Sequence, residues 1–425
     1  MHRRAFVLLL GTTALAGCGG GGYGYGYGGG AFGRYGGAPV PLSGGPPAGP
    51  GGPAGQRVAI LLPLSGPRAD IGQGMLRAAQ LAMDAQGAPP LDAKDTGGTP
   101  DGAAAAARAA IGDGAGLILG PLTSPETAAV APVARGANVA VLAFTNDPSQ
   151  AQPGVWTLGI TPGQQVRRLV AAAQGQGKTQ FAALLPDSDF GHVMGDALTR
   201  ATAADSLPPP NLRFHSPGMQ SINQTTRDLS DYASRGGPIY SQIKSLRESG
   251  TSEGRKQAQE MARTAVVPPP SFNVLLLADT GESLAEVASV LPYYDVNRSQ
   301  VQIIGPSLWA SPSSGSGQVP GAWYAAPDPA ARAAFDQAYS AKYGGPAGPL
   351  GELAYDAASI SRVLGSRGDY SVGALTQDAG FLGADGWFAL LSDGQVRRAL
   401  AVFVIERGGP QMLEPAPQSG NVPGA

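Results

Sequence analysis

The chain has 425 residues, long enough for two or three ordinary domains and a sizeable buried core. Its 29 Lys and Arg against 31 Asp and Glu give a formal net charge of -2, which excludes the electrostatic footprint of a nucleic-acid binder or of a protein held on an anionic membrane surface. The 64 Gly and 38 Pro concentrate towards the two ends, so the composition is that of a globular centre with disordered edges.

The basic start His2, Arg3, Arg4 and the apolar run Ala5 to Leu10 read as a secretory signal over residues 1–17, too short to persist as a membrane span. It ends in Leu15-Ala16-Gly17-Cys18, a string that resembles the bacterial lipobox. Cys18 is the only cysteine, which excludes an internal disulfide and makes it the expected lipidation site. Several acyl chains, at about 0.8 kcal/mol per buried methylene, would then hold the protein firmly on a lipid membrane. Residues 18–55 are Gly/Tyr-rich and then Pro/Gly-rich, the composition of a flexible tether, and residues 409–425 read as a disordered tail.

Between these ends, strand-length apolar runs alternate with Ala-rich amphipathic stretches. A strand over Val58–Leu62 precedes a helix over Gly72–Gln86. A helix over 101–110, a strand over Leu117–Leu119, a helix over Pro125–Ala134 and a strand over Val139–Ala143 follow. The alternation resumes with a helix over Gln164–Gly175, a strand over Phe181–Leu185, a helix over His192–Ala204, a strand over Val274–Ala278, a helix over Ser283–Leu291 and a strand over Val301–Ile304. Helices over Ala330–Tyr343 and Leu350–Leu364 come next. The last element is an antiparallel hairpin in which Trp387–Leu390 and Ala399–Ile405 flank the Asp393-Gly394 turn. Strands that are apolar throughout imply parallel sheets covered on both faces, hence an α/β fold of two units.

Catalytic readings fail on the residues themselves. His2 is lost with the signal, and His192 and His215 are scattered with no cysteine cluster, so no metal site is expected. No G-x-S-x-G elbow exists for a hydrolase. Gly177-Lys178-Thr179 lacks the first glycine of a phosphate loop, where Ala172 stands, and precedes a strand instead of following one. No cofactor is implied, and His192 reads as a helix-surface residue without an evident partner.

Arg57 to Asp84, Gly120-Pro121-Leu122-Thr123-Ser124, Ala143-Phe144-Thr145-Asn146, Asp187-Ser188-Asp189-Phe190-Gly191 and Gly305-Pro306-Ser307 together resemble the leucine-binding family of type I periplasmic binding proteins. The resemblance implies two doubly wound parallel-sheet lobes joined by a hinge, with a ligand between them at the carboxyl ends of the strands, as is general for open α/β sheets. Carried over, residues 56–161 plus 320–372 form lobe I and 162–319 plus 373–408 form lobe II. Leu291-Pro292-Tyr293-Tyr294, the segment Val301 to Trp309 and the extended, Pro-bounded stretch from Gly236 to Pro270 more narrowly resemble the lipoprotein activators of penicillin-binding proteins.

The resemblance also names candidate ligand contacts. Thr123 and Ser124 lie in a loop that takes the ligand carboxylate in transport members; Ser124 also suits an N-cap before Pro125, and the two roles are compatible. The Ala143 carbonyl and the Thr145 hydroxyl match groups that take a ligand amine, although the segment also suits a strand end before the Asn146-Asp147-Pro148 turn. Phe190 matches an aromatic that covers the ligand, or else it is simply buried. Ser307 stands where amino-acid binders commonly place a carboxylate for the ligand ammonium, which a buried cation requires. Asp279 or Glu282 would have to supply that charge instead. The expected function is therefore a non-catalytic periplasmic lipoprotein, most like a penicillin-binding protein activator at the outer membrane, with a cell-wall synthase as partner. The alternative is the substrate-binding subunit of an ABC importer for branched-chain amino acids or related amides, docking on a permease with a small amino-acid-like ligand.

Overall fold

The computed structural model describes residues 40–41 and 57–420. The signal, Cys18 and all of the tether except Val40–Pro41 lie outside the described residues. Five strands, Arg57–Leu62, Leu91–Asp95, Ala115–Leu119, Ala140–Ala143 and Val155–Thr157, form an all-parallel sheet in the spatial order second, first, third, fourth, fifth. Its inner strands are buried on both sides because helices cover both faces. One face packs Ile60, Leu62, Leu119 and Trp156 against helices Ala69–Met83 and Gly351–Gly365. The other packs Ala59, Leu61, Ile118 and Val141 against Pro100–Gly112 and Ser124–Gly136, whose alanines allow close approach.

The second lobe repeats the plan. Phe181–Pro186, Asn211–His215, Val274–Leu277, Gln302–Gly305 and Trp323–Ala326 are parallel, again in the order second, first, third, fourth, fifth. Ala401–Glu406 and Gly409–Glu414 then extend this sheet antiparallel. Both halves are thus doubly wound α/β sheets, as the alternation predicts. In each, the strand order reverses between the first and third strands, where the loops diverge and leave a crevice.

Four expectations are corrected. Trp323–Ala326 is a fully buried strand between Gln302–Gly305 and Ala401–Glu406, so the chain returns to the first lobe after residue 326, not near 320. Residues 409–414, assigned to a disordered tail, pair with Ala401–Glu406 as an edge strand. The hairpin partner of Gly386–Leu390 is Val396–Arg398; Ala401–Glu406 leaves for the second sheet, and the hairpin joins a small separate sheet with Phe381–Gly383 and Val40–Pro41. The stretch from Gly236 to Pro270 is mostly helical, over Gly237–Glu248 and Ser252–Thr264, because its apolar residues are too sparse for a strand and recur at helical spacing.

The lobes are joined by three crossings, near residues 158–161, 327–328 and 399–400, and buried charge clusters beside them. Arg398, at the third crossing, is 1% exposed. It donates from Nη2 to the Leu158 carbonyl at the first crossing (3.2 Å), lies over the Phe388 ring and faces Asp356 at 3.9 Å. Arg332, in the first turn after the second crossing, pairs with Glu352 and faces Asp385 at 3.9 Å. Burial raises the Asp356 carboxyl to about 7 despite the opposing Arg398 charge. Burial raises Asp385 and Glu352 as well.

Candidate functional site

A crevice of about 500 Å³ lies where the fold rule places it, against the loops at the carboxyl ends of the first-lobe strands. Thr123, Ser124, Thr145 and Ser307 all line it, with Phe144, Asp147, Ile160 and Glu352. Gly120 begins the approach loop at φ +89°, and a Cβ there would stand 2.3 Å from the Leu61 carbonyl oxygen, so the loop can lie this close only as glycine.

Several polar groups of this wall are already engaged with one another. Thr123, not Ser124, is the N-cap of helix Ser124–Gly136, in a capping box with Glu126. The Glu126 carboxylate is fully buried and accepts from the Thr123 amide (3.0 Å), the Thr123 hydroxyl (2.6 Å) and the Thr96 hydroxyl (2.6 Å). The Ser124 hydroxyl donates to Asp147. Asp147 in turn donates its amide to Thr145 Oγ1 (3.1 Å) and accepts from the Ser149 amide (2.9 Å). Burial pushes the Asp147 carboxyl up, but the hydrogen bonds from Ser124 and Ser149 outweigh it, and the group lies below the ordinary carboxylate range. Each hydroxyl has one hydrogen to donate. Those of Thr123 and Ser124 are spent on carboxylates of the chain itself, and the Asp147 anion sits where an incoming carboxylate would seek Ser124.

The opposite side gives little. Ser307 brings no charge, and its amide donates to Gln165 Oε1 at 2.7 Å. Leu308 beside it is half exposed, whereas Trp309 is buried with its indole N–H on the Asp279 carbonyl (2.9 Å). Asp279 does not line the crevice: it is buried against His215 (3.3 Å) and receives the Ser283 hydroxyl. Ala143 is fully buried, and its carbonyl accepts the Leu158 amide at 2.8 Å. Phe190 packs against the second-lobe core and is not among the residues that line the crevice. His192 has a partner after all, Asp187 at 2.9 Å, and stacks on Phe214. The residues missed in the sequence are Glu126, Asp147 and Glu352. Of these only Glu126 carried a local signal, the T-x-x-E spacing of a capping box.

Two doubly wound lobes, a charged hinge and a crevice at the switch point define a hinged binding protein. The chain belongs to the periplasmic binding protein family, whose model matches residues 55–409, and membership implies a periplasmic location. No curated protein matches the sequence. Among solved structures it is similar to a protein assigned as a branched-chain amino acid ABC transporter from Rhodospirillum rubrum, at 20% identity and TM-score 0.62, covering 84% of this chain and 100% of that one. It is also similar to the C-domain of LpoA (YraM) from Haemophilus influenzae, a regulator of PBP1A, at 16% identity and TM-score 0.57, covering 84% and 99%. Against full-length LpoA the identity is 16% and the TM-score 0.58, and this chain spans 59% of that protein. At such identities the likeness shows the fold. The family and these relatives are binding and regulatory proteins.

Proposed function

We propose that this protein is a non-catalytic periplasmic lipoprotein, anchored through acylated Cys18 at the outer membrane, that acts by binding a cell-wall synthase and activating it. The observation that carries this reading is the occupied state of the crevice wall. In a transport site, Thr123 and Ser124 would offer hydroxyl hydrogens to a ligand carboxylate; here Glu126 and Asp147 take them. Displacing either carboxylate would leave a partly or fully buried anion without its donors, at a cost of about 1–3 kcal/mol or more. Ser307 also supplies no counter-charge for an ammonium. The lobes then serve as a rigid surface for a protein partner, and the Gly/Tyr/Pro segment supplies reach through the wall.

The test is capture of penicillin-binding proteins. Full-length protein retrieved from detergent-solubilised envelopes brings down a synthase that fluorescent penicillin labels, and a deletion strain shows slowed wall synthesis. An unlabelled eluate together with normal wall synthesis in the deletion strain contradicts the proposal.

One observation favours a second reading, the substrate-binding subunit of an ABC importer: the crevice is open and sits at the switch point. With the Asp147 carboxylate on its wall, its ligand would carry a cationic amine and lack the carboxylate of a free amino acid. Saturable binding of such an amine by calorimetry, with no captured synthase, supports this reading over the first.

A further inference from the structure

A second cavity of about 500 Å³ lies on another side of the hinge and shares no lining residue with the crevice. Its walls are Pro148 and Ser149 of the first lobe, helices Pro162–Gly175 and Asp189–Ala204 of the second, and Gln395 and Val396 of the small sheet. Arg167 projects along it, and its Nε and Nη2 are buried without a hydrogen-bond partner. A buried guanidinium with idle N–H groups is costly, because those donors have left water and gained nothing. Arg200 stands at the exposed rim. Thr161 Oγ1 accepts the Gln164 amide at 3.3 Å, which leaves its own hydrogen to donate. The charges in and around the cavity are Arg167, Arg200 and Arg397 against Asp196 and Asp205, a surplus of one cation. Burial and the nearby Arg397 both disfavour the Arg167 charge, and Asp205 offsets them only in part, so the guanidinium is held below its ordinary pKa.

We propose that this cavity binds an oxyanion, a phosphate or carboxylate group, held in the fork of Arg167 with Arg200 closing the rim. The planar guanidinium presents parallel N–H groups that match two oxygens of such a group, which a water cannot do with one. Because the walls come from both lobes, the bound anion bridges them beside the first crossing.

The test is titration of the full chain with inorganic phosphate and, separately, with malonate, against sodium chloride at equal ionic strength, followed by calorimetry and thermal shift. Saturation by phosphate assigns a phosphate ligand, and saturation by malonate alone assigns a carboxylate. Arg167→Gln removes an unpaired charge, so it folds and weakens binding at least tenfold. Arg200→Gln, at an exposed position, leaves the fold unchanged and weakens binding several-fold. The proposal is overturned if neither anion saturates by about 10 mM, or if both variants bind as the wild type does. Should Arg167→Gln fail to fold, an unchanged affinity in Arg200→Gln overturns it alone.

Discussion

Replacing Asp356 by Asn should change how stability depends on pH, by an amount the structure sets. Asp356 is 1% exposed, accepts the Ala384 amide at 2.6 Å and stands 3.9 Å from Arg398. Burial, opposed by Arg398, raises its carboxyl from an ordinary 3.8 to about 7. The folded state therefore holds a proton that the unfolded chain has released between those values. Stability is greatest below the unfolded value and falls as pH rises through the folded one. Each pKa unit is worth about 1.4 kcal/mol, so the loss accumulated between pH 5 and pH 8 is about 2–3 kcal/mol. Asn cannot titrate and keeps an oxygen for the Ala384 amide. Asp385 and Glu352 remain in both proteins, so their own titrations cancel to first order in the comparison. Urea unfolding of both, followed by tryptophan fluorescence across that range, should show the variant gaining about 2–3 kcal/mol relative to wild type from pH 5 to pH 8. A difference that stays flat to within about 0.5 kcal/mol would refute the buried, proton-holding carboxyl.

Glu126→Leu strips three donors of their acceptor in a sealed position and should cost about 2–4 kcal/mol in urea unfolding, while leaving the secondary structure seen by circular dichroism intact. Gly383→Ala sets a Cβ 2.4 Å from the Asp356 carboxylate and should destabilise by about 1–3 kcal/mol; an unchanged urea midpoint would mean that the hinge cluster is looser than described. For His215, burial lowers the pKa, but the Asp279 hydrogen bond and charge raise it more, to above the ordinary 6.5. The stability this pair contributes is present below 6.5 and lost as pH rises through the folded value. An NMR titration of the His215 ring should show a midpoint above 6.5 in wild type and below it in Asp279→Asn.

The sheet strands that were legible from sequence are those buried on both faces, such as Val58–Leu62 and Val274–Leu277, where an unbroken apolar run has one reading. Leu91–Asp95 was missed because it is an edge strand carrying Asp92, Lys94 and Asp95, and Val155–Thr157 because three residues hold no period. The loops bordering the crevice were legible through short motifs, and Thr123, Ser124, Thr145 and Ser307 do line it. What those groups are doing was not. The Ser124 and Asp147 pairing spans 23 residues and exists because the third and fourth strands are neighbours in the sheet, a relation no local pattern records. The hinge cluster is less legible still, since Arg398 meets a carbonyl 240 residues earlier in the chain.

The occupied crevice wall is tested most directly by calorimetry of the full chain with free leucine. With the Thr123 and Ser124 hydrogens committed to Glu126 and Asp147, it predicts no saturable heat up to about 1 mM, a binding free energy no better than about -4 kcal/mol. A micromolar dissociation constant, about -8 kcal/mol, would contradict it, because the ligand carboxylate would then be displacing the chain's own.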